Sequence, residues 1–267
     1  MSHLSRLMAK VCKPIHLLVG VIALLPMLVG ALVVNWHVER TLNKNVLRST
    51  VDAIVQIDRI LDEARETALS QIQLTGRGCS VAILHVLRSE VIPRPYVRSS
   101  FLARDNKVYC ASYHGYHEDA EPLPDVEFPL SLRSDDPITP DRSTVMYSHR
   151  QGRFSSHVIV AGSTLAKPIR LLSPGVDNHI QIGQRWLDEN AEVHDDDPSV
   201  GLESAQMTES ATYGYQVSGG QSVGTIRATS QREFLDILGS LAMLSLLLGW
   251  SSSRLLGARS TALARAT

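Results

Sequence analysis

IHLLVGVIALLPMLVGALVVNW, residues Ile15 to Trp36, and ILGSLAMLSLLLGWSSS, residues Ile237 to Ser253, are the two uncharged stretches that decide the architecture. All 27 acidic residues lie between them, from Glu39 to Asp236. Outside them stand only bases: Arg6, Lys10 and Lys13 on one side, Arg254, Arg259 and Arg265 on the other. A water-soluble fold has no reason to sort charge this way. A chain that crosses a bilayer twice does, because basic flanks stay in the cytoplasm while the stretch between is exported. The first run has 22 residues, about 33 Å of helix against a hydrocarbon core of ~30 Å. It is longer than the apolar region of a cleaved signal peptide. The second run is near the lower limit, with Leu255 and Leu256 available to extend it and Arg254 to reach the interface. The expected organisation is a cytoplasmic segment 1–14, a membrane helix 15–36, an exported domain 37–236, a second membrane helix 237–256 and a cytoplasmic tail 257–267.

The exported stretch carries 20 Lys/Arg and 27 Asp/Glu, so the chain-wide net charge of −1 conceals a distinctly acidic domain. That sign argues against nucleic acid or anionic lipid as a partner. The three cysteines divide with the charges. Cys12 falls at the cytoplasmic edge, and Cys79 and Cys110 fall in the exported domain. An even pair in an oxidising compartment is a disulfide candidate.

From His37 to Thr75 no Gly or Pro interrupts the chain. The heptad rows Leu47, Ile54, Leu61, Ala68 and Thr50, Ile57, Ala64, Gln71 predict one long helix continuous with the first span. The apolar row serves either as a face packed on the domain or as a dimer seam. Gly76 and Gly78 end this helix, and Val81–Leu87 reads as a second, shorter one. Strands are expected at Tyr96–Ala103 and Lys107–Ser112, joined by Arg104, Asp105 and Asn106. Glu118–Asp141, with five prolines and eight acids, reads as irregular surface. His157–Thr164 and Asn178–Leu187 read as strands. Asp188–Glu209, with eight acids and no Lys or Arg, reads as a solvated loop. Thr212–Ser218 and Gln221–Thr229 flank Gly219-Gly220, a two-residue hairpin signal. The fold class expected is α+β: two transmembrane helices flanking an antiparallel mixed domain with a long N-terminal helix, in a layout resembling Cache or PAS-like extracytoplasmic sensors.

Cys79 stands in GRGCS and Cys110 in VYCASYHG. The residues alone leave three readings open: a permanent structural bridge, a switchable redox pair, or two unrelated thiols. GCS, then PYVRSSFL, then VYCAS followed by Gly115, behind a span and a long helix, resembles the CSS-motif sensory domain of membrane-bound bacterial cyclic-di-GMP phosphodiesterases. The resemblance implies a periplasmic domain in which Cys79 and Cys110 form a disulfide whose redox state controls a cytoplasmic EAL-type hydrolase. It implies that Ser112 is the last serine of the motif. The middle serine is replaced by Ala111, which is expected to remove a hydroxyl beside the Cys110 sulfur. It also implies a bacterial inner-membrane location and periplasmic disulfide-exchange proteins among the partners. The residues after Ser253 hold no Glu-Ala-Leu segment and no carboxylate to bind a metal. No catalytic residue or cofactor is therefore expected here. The hydrolase would be supplied by a partner or by a longer protein of which this is the input half.

Ser245, Gly249, Ser253 and Gly257 recur every four residues in the second run. Such a small-residue row suits close helix packing in lipid, either in a homodimer, with a partner membrane protein or against the first span. His114 and His117 in YHGYHED lack a third ligand at a known metal spacing and read as solvated surface. Asp195, Asp196 and Asp197 lack the Gly and bidentate Glu of a calcium loop. No metal site is expected. The alternative function is a small-ligand periplasmic receptor in which the bridge is purely structural.

Overall fold

The computed structural model describes residues 2–113, 115–116, 123, 129–134, 142–171, 175–222 and 224, and near the C-terminus residues 239–240, 242–243, 245–247 and 250–251. The chain divides into two compact units, one formed by residues 1–42 with 224–267 and the other by residues 43–223. In the first unit the backbone of Ile15–Trp36 is helical, but the side chains of most of these residues, and much of 237–256, lie outside the described residues. Among the described residues no helix is long and apolar enough to cross a membrane.

The second unit is built on the C-terminal part of helix α1 (Ser2–Gln71). Val46, Thr50, Ala53, Ile57, Leu61, Ala64, Ala68 and Gln71 are fully buried. Their spacing of three and four residues is one continuous stripe of an α-helix. The stripe is centred on the Thr50–Ile57–Ala64–Gln71 row, while Leu47, Val51 and Val55 stay exposed. A short 3₁₀ turn, Ile72–Leu74, ends the helix. Helix α2 (Val81–Val91) follows, four residues longer than expected, and buries Ile83 and Leu87.

Two antiparallel sheets cover α1. The first contains β1 (Val97–Arg104), β2 (Lys107–Ala111), β3 (Gly115–Tyr116), β4 (Leu130–Arg133), β5 (Thr144–Gln151) and β6 (Phe154–Ala161), in the order β3-β2-β1-β6-β5-β4. The β1–β2 turn places Asp105 and Asn106 at positive φ (49° and 64°), which short polar side chains tolerate. Helix α3 (Gly162–Leu171) leads to the second sheet. There β7 (Asp177–Ile182), β8 (Arg185–Leu187), β9 (Val193–His194), β10 (Glu203–Glu209) and β11 (Gln216–Gln221) lie in the order β10-β11-β7-β8-β9. One core joins both sheets to α1, through Ile57, Leu61 and Ala64 of the helix, Val145, Val158 and Val160 of the first sheet, and Ile180, Leu187 and Val217 of the second.

Several expectations are corrected. Gly219 and Gly220 do not make a hairpin turn; they lie inside β11, where Gly219 pairs with Gln206 of β10 and Asn178 of β7, and Gly220 with Asp177 of β7. A Cβ on Gly219 would run into Asn178 and Thr50, and one on Gly220 would meet Leu202 at 2.6 Å. The glycines are there for close approach, and a Gly pair in a strand looks the same in sequence as one in a turn. Asn178–Leu187 is two strands, turned at Gly183, whose φ is 61°. Asp188–Glu209 is not one solvated loop: it contributes β9 and β10, because acids alternate onto the wet face of an edge strand without opposing it. Leu130–Arg133, inside the stretch read as irregular, is edge strand β4 with Leu130 and Leu132 buried. β5 and α3 carried no expectation. The strand read at His157–Thr164 ends at Ala161, where α3 begins.

Candidate functional site

Cys79 and Cys110 are joined, with Cα atoms 5.3 Å apart across a separation of 31 residues. The local sequence explains how they meet. Gly76 and Gly78 take positive φ (83° and 55°), which lets the chain reverse after α1. Ser80 then caps α2, its hydroxyl accepting from the Ile83 N–H at 3.3 Å. Cys79 is thus held just before the first turn of α2 and remains partly exposed. Cys110 stands in β2, opposite Leu102 of β1, and is fully buried among Ile83, Leu87 and Leu102. The bond pins the N-terminal end of α2 onto the sheet.

The other end of α2 is pinned by Ser112. Its backbone N–H donates to the Ser100 carbonyl at 2.9 Å, and its hydroxyl accepts from the Ser100 N–H at 3.0 Å. Its carbonyl accepts from Arg88 Nε at 2.8 Å. One residue therefore closes the β1–β2 edge and holds the last turns of α2. Arg88 and Ser100 complete this contact set, and the sequence singled out neither: Ser100 falls within PYVRSSFL without distinction, and Arg88 meets Ser112 only across the fold.

Ala111 corrects a second expectation. Neighbouring strand residues point to opposite faces. Cys110 faces α2, whereas Ala111 packs beside Phe101 and Met146 on the far face. A hydroxyl at 111 would not lie beside the sulfur. His114 and His117 lie outside the described residues, as do Gly249, Ser253 and Gly257. Ser245 is described and is buried within the single chain, while Met243, Leu246 and Leu247 around it are exposed.

The clamp is linked to α1. Ser70 Oγ donates to Glu90 Oε2 of α2 at 2.5 Å. Arg94, just past α2, donates to the Glu63 carbonyl at 3.0 Å. Further along α1, Asp58 Oδ1 accepts from the Tyr215 hydroxyl at 2.7 Å and from Ser210 at 2.9 Å, and Asp62 accepts from Tyr213 at 2.6 Å. Burial and the neighbouring carboxylates push both phenols well above the usual tyrosine range. These tyrosines also line a cleft of about 380 Å³ with Pro129, Leu130, Ile182, Gly183 and Gly214. Their hydroxyls are already engaged by α1.

Helix α2 is thus held by the disulfide near one end and by Ser112 near the other, on an α+β domain. The chain belongs to the CSS-motif family: residues 42–233 match the CSS motif domain associated with EAL. Among solved structures it is similar to the extracellular ligand binding receptor from Desulfohalobium retbaense DSM5692, with 9% identity, a TM-score of 0.49, and coverage of 66% of this chain and 40% of that one. It is also similar to the sensory domain of the Campylobacter jejuni chemoreceptor Tlp3 (CcmL) with isoleucine bound, with 10% identity, a TM-score of 0.41, and coverage of 73% of this chain and 96% of that one. The chain thus spans 40% of the length of the first of these. No curated protein matches.

Proposed function

We propose that this chain is a periplasmic redox-sensing input module, anchored in a bacterial inner membrane through 15–36 and 237–256, whose Cys79–Cys110 bond reports thiol oxidation to a cytoplasmic EAL-type cyclic-di-GMP phosphodiesterase. The observation that carries this reading is the placement of the bond, with Cys79 partly exposed and Cys110 buried under the helix it pins. An attacking thiolate would enter at Cys79, the less buried of the two, and two external thiols would supply the two electrons and two protons that convert the bridge to Cys79 and Cys110 thiols, leaving as a disulfide. The thiolate expelled in the first step is Cys110, in an apolar pocket that disfavours charge, so reduction and release of α2 are coupled. Loss of the N-terminal pin leaves α2 held by Arg88 and Glu90, and the change passes to α1 through Ser70 and Glu63. The small-residue row Ser245, Gly249, Ser253 and Gly257 would pack the second membrane helix against the first or against a second copy.

The topology and the switch are tested together by labelling the full chain in intact cells with a membrane-impermeant maleimide. Cys79 and Cys110 should label only when the periplasm is made reducing, and Cys12 never. Labelling that ignores periplasmic redox state, or a bridge that stays closed under reductant able to open other periplasmic disulfides, rejects the switch. The second outcome supports the other reading, a small-ligand receptor with a structural bridge, which the cleft beside Tyr213 and Tyr215 favours.

A further inference from the structure

The second sheet gathers metal-binding side chains at the β7–β8–β9 end, on the face turned away from the core. Register places them. Ile180 pairs with Leu187, so His179 comes opposite Asp188 one residue further on. The Asp188 N–H donates to the Glu192 carbonyl at 3.0 Å, which sets Asp188 opposite Glu192. Trp186 pairs with His194. Side chains alternate along each strand, so His179, Asp188, Glu192 and His194 share one face, while Asn178, Ile180 and Leu187 point to the buried side.

The distances are those of a chelating set. One ligand atom from each of Asp188, Glu192 and His194 lies within 4.8 Å of the others. His194 Nε2 and Asp188 Oδ2 are 3.1 Å apart. Two ligands bonded at about 2.0–2.2 Å to one tetrahedral ion stand roughly 3.3–3.5 Å apart, so only a small adjustment separates this pair from shared coordination. The other oxygen of Asp188 accepts the Asn190 N–H at 2.9 Å and the Glu192 N–H at 2.7 Å. Those bonds orient the carboxylate as outer-shell contacts orient a ligand. The hairpin that carries it holds Ala191 at a φ of 65°, an uncommon conformation for alanine.

A second, independent observation concerns His179, the register neighbour of Asp188 on β7, which stands outside that 4.8 Å group. His179 Nδ1 is buried and has no hydrogen-bond partner among the described residues. An imidazole nitrogen withdrawn from water and left without a partner is costly unless something occupies it.

We propose that Asp188, Glu192 and His194, completed by His179, bind a divalent transition-metal ion of the zinc type. Two imidazole nitrogens and two carboxylates suit zinc, whereas calcium and magnesium sites are built from oxygens alone. The site lies on the other sheet from the Cys79–Cys110 bond and does not depend on the redox reading. It would join β7, β8 and β9 and give the module a second input.

The test is a titration of the full chain in detergent, without a histidine tag, with the disulfide intact and with Cys12→Ser to remove the free thiol. Zinc alone is the probe, measured by competition with a chromophoric chelator at pH 7.5. One equivalent should bind, and an excess of magnesium should not displace it. His194→Ala and His179→Ala should each weaken binding by about tenfold or more. So should Asp188→Asn, which retains the acceptor for the turn. Asp196→Asn, outside the set, should leave it unchanged. X-ray absorption should show nitrogen and oxygen ligands near 2.0–2.2 Å and no sulfur at about 2.3 Å. Failure to bind one equivalent, unchanged affinity in either histidine variant, or a zinc–sulfur distance refutes the site.

Discussion

Opening the Cys79–Cys110 bond should loosen α2 well before the rest of the domain. The perturbation is reduction of the wild-type chain, with Cys79→Ser as its genetic counterpart. Cys79 is the position to change because it is partly exposed, so a serine there does not bury a hydroxyl. The bond closes a separation of 31 residues. Chain-entropy reasoning gives about 12 cal/mol/K for a loop of that size, or about 3.7 kcal/mol at 25 °C. α2 has few other restraints: it buries Ile83 and Leu87, and among its side chains Arg88 bonds the Ser112 carbonyl and Glu90 accepts from Ser70. An 11-residue helix with so small a footprint is marginal without its tether. If most of the stabilisation is local, amide exchange in α2 should accelerate by several hundredfold on reduction, since each ~1.4 kcal/mol is a factor of ten. Amides of β5 and β6, in the centre of the first sheet, should change by less than about threefold. Hydrogen exchange read by mass spectrometry resolves the two. Equal exchange of α2 in both redox states would refute the reasoning. So would a uniform acceleration across β5, β6 and α2, which would make the bond a global staple.

Ser112→Ala removes the acceptor of a buried Ser100 N–H and should cost about 1–3 kcal/mol, read as a fall in melting temperature of about 2–4 °C per kcal/mol. Gly219→Ala places a methyl against Asn178 and Thr50 and should destabilise by about 1–3 kcal/mol in chemical denaturation, whereas a true hairpin glycine would instead show itself in strand register. Tyr215→Phe deprives Asp58 of a 2.7 Å donor and should cost about 1.5–3 kcal/mol. His157 is buried between Ser148 and Ser155 hydroxyls and stacks on Phe101 with ring centroids 4.8 Å apart. Burial, helped by Arg150 and Arg133, lowers its pKa from 6.5 to about 4. Between those values the unfolded chain binds more protons than the folded one. Its contribution is therefore fully present above pH 6.5 and is lost as pH falls towards 4, by on the order of 3 kcal/mol. Denaturant midpoints measured across that window should flatten in His157→Gln.

The helix that organises the domain was legible because it repeats. Thr50, Ile57, Ala64 and Gln71 announce a stripe, and the same residues are buried. Cys79 and Cys110 were legible as a motif, and they are bonded, whereas Ser112, the motif's last serine, contacts Ser100 and Arg88. What stayed hidden depends on contacts distant in sequence. Arg88 is an ordinary helix arginine until β2 brings the Ser112 carbonyl to it. Acid-rich segments misled most. Val193–His194 and Glu203–Glu209 form edge strands whose outward residues can be charged at no cost to the core. The cluster at His179, Asp188, Glu192 and His194 was invisible for the same reason. Asp188, Glu192 and His194 fall within the β8–β9 turn and its exit, in a stretch whose acids read as solvated loop, and His179 comes beside them only through β7.

The alternation at the end of β2 has a bearing on how such domains diverge. Position 110 and the backbone of 112 answer to α2, while position 111 answers to Phe101 and Met146 on the reverse side. Drift at the middle letter is thus screened by a different set of neighbours from drift at the outer two. A lineage can exchange that residue to suit its own hydrophobic packing and still inherit the covalent latch intact.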